Sequence, residues 1–145
     1  MLTSENLAKS LFDYFAERGF SEKQIFLREN ISEIRIYGSL FVSFRLNQQK
    51  ELSVLLESSF LDKDYLNFVS NGEIDKFYNS ISNEARVERA NYREFLKEIS
   101  VDRSDGKYKY CAQVNSNDAR QVFYAVFNEC IRPAMYYLRT RSDKI

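Results

Sequence analysis

Between residues 32 and 58 apolar side chains recur at every second position, whereas on both sides of this stretch they recur every third or fourth. This change of period constrains the fold more than any other feature. Alternation belongs to a strand with one buried face, and a spacing of about 3.6 residues belongs to an amphipathic helix. Ile34 and Ile36 alternate with Glu33 and Arg35. Leu40, Val42, Phe44 and Leu46 alternate with Phe41, Ser43 and Arg45, and Leu52, Val54 and Leu56 with Ser53, Leu55 and Glu57. The polar link 47–50 suits a hairpin loop, and Gly38 a turn or bulge. The pattern predicts a three-stranded antiparallel meander.

Ahead of it, Leu7, Leu11 and Phe15 form one helical column, with Ala8, Phe12 and Ala16 beside them. Thr3 is placed to cap, Leu2 to staple against Leu7, and Gly19 to end the helix in a left-handed conformation, which predicts a helix over 4–18. Residues 21–30 read equally as short helix or strand. After the meander, Tyr65, Phe68 and Val69, then Ile74, Phe77, Tyr78 and Ile81, restore helical spacing. From 84 to 99 the pattern fits helix throughout or helix turning into strand. The Ser104-Asp105-Gly106 turn predicts a hairpin, with Ile99–Asp102 entering and Lys107–Val114 leaving. The last element, Asp118 to about Arg139, has Ser116 or Asn117 as its candidate cap. It carries two adjacent columns: Val122, Val126, Cys130, Ala134 and Leu138 beside Phe123, Phe127, Ile131 and Met135. Pro133 should kink or divide it. Without a linker, repeat or low-complexity tract, residues 1–145 read as one α+β domain.

Composition agrees with one ordinary core. The chain has 145 residues, 44% apolar and 29% charged, with ten Tyr and twelve Phe that each bury a large area. Lys plus Arg equals Asp plus Glu at 21 each, so bulk charge points to no polyanion. No apolar run reaches the roughly 18 residues of a membrane span, so no membrane partner is expected. The polar start, MLTSENLAKSLF, does not read as a secretory signal. Cys111 and Cys130, outside any CxxC spacing, suggest buried thiols in a reducing compartment. A cytoplasmic location is therefore expected, which leaves the Asn30-Ile31-Ser32 sequon without a role.

The chemistry this sequence excludes is extensive. With no histidine there is no Ser-His or Cys-His nucleophilic pair and no histidine metal ligand. Gly19, Gly38, Gly72 and Gly106 are too scattered for a nucleotide-binding loop. Asp62 and Asp64 begin a calcium-loop spacing, but Leu66 and Asn67 occupy its fifth and sixth positions. No cofactor, no metal and no enzymatic activity are expected; only a carboxylate pair assembled in space stays open. Arg86, Arg89, Arg93 and Lys97 would line one helical face near Arg103, Lys107 and Lys109, with Tyr108 and Tyr110 between them, as a nucleic-acid surface requires. Glu88, Glu94, Glu98, Asp102 and Asp105 interleave with those bases, and a solvated face accounts for them. Arg132, Arg139, Arg141 and Lys144 follow from the dipole of the last helix.

The order helix, three antiparallel strands, helix, hairpin, long helix resembles the type III secretion chaperone-like fold, shared with the YbjN family. The residues carrying the resemblance are Leu7, Leu11, Phe12 and Phe15 ahead of Gly19, the strands Leu40–Leu46 and Leu52–Leu56, the hairpin around Asp105-Gly106, and the aromatic-rich helix after Asn115. It covers nearly the whole chain. It implies a protein that dimerises and holds an extended partner segment against its sheet. This chain departs from it in being neutral where secretion chaperones are acidic, and in a longer segment from Phe60 to Arg93.

The expected function is a non-catalytic, chaperone-like protein-binding module, possible as a homodimer. Phe41 and Leu55, apolar on the solvent side of the strands, are its candidate contact residues. A small inhibitor, such as an immunity or anti-defence protein blocking a toxin or enzyme, is the alternative. A nucleic-acid-binding module using Arg86, Arg89, Arg93 and Lys97 ranks third.

Overall fold

The computed structural model of the chain describes residues 2–19, 25–27, 33–36, 40–70 and 72–142. Helix α1 (Ser4–Glu17) begins where the Thr3 hydroxyl accepts the Asn6 amide at 3.0 Å. It ends at Arg18, followed by Gly19 at φ +84°, a conformation that glycine adopts without a Cβ clash. Leu7, Ala8, Leu11 and Phe15 are buried, Phe12 is half-buried and Ala16 exposed, so one column carries the packing.

The strands form one antiparallel sheet rather than a three-stranded meander with a separate hairpin. Its members are β1 (Ile25–Leu27), β2 (Glu33–Ile36), β3 (Leu40–Leu46), β4 (Glu51–Glu57), β5 (Leu96–Ser104) and β6 (Lys107–Val114), in the order β1-β2-β3-β4-β6-β5. The expected meander is β2-β3-β4. β1 precedes it and the hairpin attaches through β6 to β4, with Val54 opposite Tyr110. Within the ambiguous stretch 21–30 only the strand residues 25–27 are described. Gly38 and the Asn30 sequon lie outside the described residues. The β5–β6 turn has Asp105 at φ +53° and Gly106 at φ +76°, the two left-handed residues that match the twist of a tight hairpin.

Leu40, Val42, Phe44, Leu52, Val54, Leu56, Tyr108, Tyr110 and Val114 are all buried on one face of the sheet. Their neighbours Phe41, Arg45, Glu51, Glu57 and Lys109 are exposed on the other. The helices therefore pack against a single face, giving a two-layer α+β domain. α1 lies on β3 and against α5 (Ala119–Val126). Asp118, rather than Ser116 or Asn117, caps α5: its Oδ1 accepts the amides of Arg120 at 2.8 Å and Gln121 at 3.2 Å.

Between β4 and β5 run α2 (Asp64–Ser70), α3 (Glu73–Ser80) and α4 (Asn83–Tyr92), then a tight turn at Arg93–Phe95. The stretch 84–99 is thus helix turning into strand. Its pattern is weak because α4 buries only Ala85 and leaves Val87 exposed; charged side chains attach it instead.

Pro133 divides the last helix as expected, but the break lies ahead of it. α5 passes into a wider π-helical turn at Phe127–Ile131 and then into α6 (Arg132–Ser142). The proline ring would strike the carbonyl of residue 129 in a regular helix, and it has no N–H to donate. In the wider turn the Arg132 amide reaches Phe127 O, so the Asn128 carbonyl receives neither residue 132 nor residue 133. The Tyr78 hydroxyl of α3 fills the gap, 2.6 Å from that carbonyl and 3.0 Å from Asn128 Oδ1. Asn128, nearly fully buried, donates its Nδ2 to Tyr124 O at 2.8 Å and Glu88 Oε2 at 2.9 Å.

Most aromatic side chains meet in the core. Tyr65 and Tyr110 share a hydrogen bond at 2.8 Å, Tyr137 donates to Asp62 Oδ1 at 2.7 Å, and Tyr108 donates to the Asp62 carbonyl. Burial raises the phenols of Tyr65, Tyr78 and Tyr110 above the ordinary value of 10.0, and the Cys130 thiol above 9.0. Each group keeps its proton in the folded state after the unfolded chain has lost it, so stability is full below the unfolded value and falls as pH rises beyond it. Urea unfolding should show stability declining above about pH 9 to 10, by about 1.4 kcal/mol per pH unit for each such group. Ultraviolet titration should find these tyrosines resisting ionisation until the protein unfolds; ten phenols titrating together near 10 in the folded protein would contradict the burial described.

Candidate binding cleft

A cleft of about 840 Å³ opens on the helical side of the domain. The end of α1 supplies Tyr14, Phe15 and Arg18, and Leu40 and Phe60 come from the sheet and the turn after β4. Phe77, Ile81 and Ala85 of α3 and α4 form the opposite wall, and Phe127, Met135 and Tyr136 extend it along the last helix. Phe77 and Tyr136 pack with ring centroids 4.4 Å apart, as do Tyr14 and Phe127. Phe60 and Tyr136 nevertheless keep 43% and 38% of their surface exposed. Three guanidinium groups, Arg18, Arg132 and Arg139, line the cleft, and among the described residues no carboxylate does. Arg18 lies 3.4 Å above the Tyr14 ring and donates to Tyr14 O.

A polar clamp behind one wall fixes the helices. Arg89 of α4 donates Nε and Nη2 to the two carboxylate oxygens of Glu129, at 3.0 and 3.3 Å, and Nη1 to Asp75 at 2.9 Å. Its guanidinium carbon sits 4.6 Å over the Tyr78 ring. Desolvation works against the charge, but the hydrogen bond from Glu129 and the two carboxylates outweigh it and hold the Arg89 pKa above its usual value. Glu88 Oε2 accepts from Arg132 Nη2 at 2.6 Å as well as from Asn128. Arg132 Nε is buried and has no hydrogen-bond acceptor in the structure.

The residues picked out by sequence fall elsewhere. Phe41 lies on the open face of the sheet, 36% exposed and opposite Glu57. Leu55 is half-buried there between Ser43 and Lys109. Arg86, Arg89, Arg93 and Lys97 do not share a helical face, because α4 ends at Tyr92 and Lys97 begins the edge strand. Arg89 is turned inward, with its side chain only 12% exposed, while Arg86, Arg93 and Lys97 are exposed. Cys130 is buried as expected, but Cys111 is half-buried on the open face, its sulfur 4.0 Å from Ser53 Oγ. Alternation explains the difference, since Tyr108 and Tyr110 point inward and position 111 must point out. Arg132 and Arg139 line the cleft, and Lys144 lies outside the described residues.

Sequence reasoning missed the cleft, although two signals existed. Phe60 is an aromatic in a turn, and Tyr136 falls outside both apolar columns of the last helix. Among the described residues, no group of three or more His, Cys, Asp or Glu side chains could hold a metal ion, and no helix is long and apolar enough to cross a membrane.

Replacing Arg89 by Ala would strand the carboxylate of Glu129, itself only 10% exposed. Chemical denaturation should show a loss of about 2–4 kcal/mol. Ala at Arg86, Arg93 or Lys97 should stay within about 0.5 kcal/mol of the parent. An Arg89 variant as stable as these three would contradict the clamp. No family model matches this chain, and no curated protein matches it.

Proposed function

We propose that the protein is a non-catalytic binding module that holds a segment of another protein in the cleft between α1, α3–α4 and α6. The observation that carries this reading is the pair of solvent-exposed aromatics, Phe60 and Tyr136, on an apolar hollow of about 840 Å³. Large aromatic side chains left in water around a concave apolar surface favour association, because covering them returns ordered water to bulk and fills a well-shaped pocket. The open face of the sheet offers less. Phe41 and Leu55 stand there among Arg45, Glu57, Lys107 and Lys109, and Lys107 pairs with Glu57 at 3.7 Å. An inhibitor would use the same cleft against a different partner. The nucleic-acid reading loses support because Arg89 is occupied by two carboxylates.

Affinity capture from the native host, with light scattering on the eluted complex, should give a stoichiometric protein partner. Phe60→Glu and Tyr136→Glu should each lower its retention at least about tenfold while leaving thermal unfolding nearly unchanged, since both side chains are exposed. Phe41→Glu on the opposite layer should retain the partner. Loss with Phe41→Glu and not with the cleft variants would move docking to the sheet and overturn this reading; so would an eluate free of any partner protein.

A further inference from the structure

Which kind of segment suits the cleft follows from what its walls provide. The walls come mainly from helices and present side chains, and the backbone groups of those helices are already hydrogen-bonded within them. An extended peptide laid there would bury its own N–H and C=O groups without partners, at about 1–3 kcal/mol for each group left unsatisfied. A helix brings its backbone already satisfied and offers an apolar stripe. Electrostatics narrows the choice further. Arg18, Arg132 and Arg139 line the cleft without a carboxylate among the described lining residues, and the buried Arg132 Nε has no acceptor. Arg18 has its carbonyl and ring contacts on Tyr14 but makes no ion pair among those described. In a cleft with low-dielectric walls such cations favour an anionic occupant and disfavour a cationic one.

We infer that the occupant is an acidic amphipathic helix, with its apolar stripe against Phe60, Phe77 and Tyr136 and its carboxylates facing Arg18, Arg132 and Arg139. This rests on the cleft being the docking site.

Two synthetic helical peptides of about 18 residues, roughly 27 Å long, provide the probe. They share one leucine stripe and differ only in carrying Glu or Lys beside it. Fluorescence anisotropy with the full-length protein should show the Glu peptide binding at least about tenfold tighter at low ionic strength, with the preference shrinking in high salt. Arg18→Glu combined with Arg139→Glu should reverse the preference. A Glu peptide with two central prolines should lose binding. Equal affinity for the Glu and Lys peptides, or a preference unchanged in the double variant, would overturn the acidic assignment; full binding of the proline peptide would overturn the helical one. If neither peptide binds but laurate does, with loss in Tyr136→Glu, the occupant is a small amphiphile and the inference fails. These failures differ from failure of the cleft itself, which the host partner reports through Phe60→Glu and Tyr136→Glu.

Discussion

The missing N–H of Pro133 organises the helical layer. A proline inside a helix removes one donor and pushes against the carbonyl four residues back, so the chain must widen or bend. Here it widens, and the Arg132 amide moves on to Phe127 O. The carbonyl left over, that of Asn128, lies in the interior, where an unpaired acceptor costs about 1–3 kcal/mol. Tyr78 supplies the proton from another helix at 2.6 Å. A local covalent fact thereby becomes a tertiary constraint: α3 is tied where its tyrosine reaches the wide turn.

The remaining contacts of that layer build outward from this point. Tyr78 offers its ring to Arg89, Arg89 joins Glu129 on the wide turn to Asp75 on α3, and Glu88 joins Asn128 to Arg132 at the start of α6. Apolar burial in this part of the molecule is modest, with Phe77, Tyr78 and Ala85 forming a satellite cluster apart from the main core. The sheet and the helices α1, α2 and α5 instead close over one large core that runs from Leu7 to Tyr137. The cleft lies where core and satellite adjoin, walled by Tyr14 and Phe127 from one and by Phe77 and Ala85 from the other. Two packing units held together by a polar clamp leave an apolar seam, and that seam is the surface offered to a partner.

The parts legible in the sequence are those stabilised by apolar burial on a regular repeat. Leu7, Leu11 and Phe15 define α1, the alternating residues of 40–46 and 52–56 define the centre of the sheet, and Tyr108 and Tyr110 mark the inner face of β6. Asp105-Gly106 signalled its hairpin through backbone conformation alone. The boundary at Tyr92 was hidden because α4 is fastened through Glu88 and Arg89, and charges carry no periodic signature. Those arginines read as a basic surface because their partners, Asp75 and Glu129, lie far away in sequence. The cleft was hidden for a similar reason. Its walls come from residues near 14, 60, 77, 85 and 136, and only the tertiary structure gathers them; the off-column position of Tyr136 was the trace it left.

A double-mutant cycle joining Tyr78→Phe and Pro133→Ala tests this account most directly. An alanine at 133 restores a backbone N–H, so the Asn128 carbonyl regains a main-chain donor whether the turn stays wide or reverts to a regular helix. Tyr78→Phe should then cost about 1–3 kcal/mol in the parent and at least about 1 kcal/mol less in the Pro133→Ala background, measured by urea unfolding. The same cost in both backgrounds would mean that Tyr78 does not compensate for the proline, and the proposed origin of the clamp would be wrong.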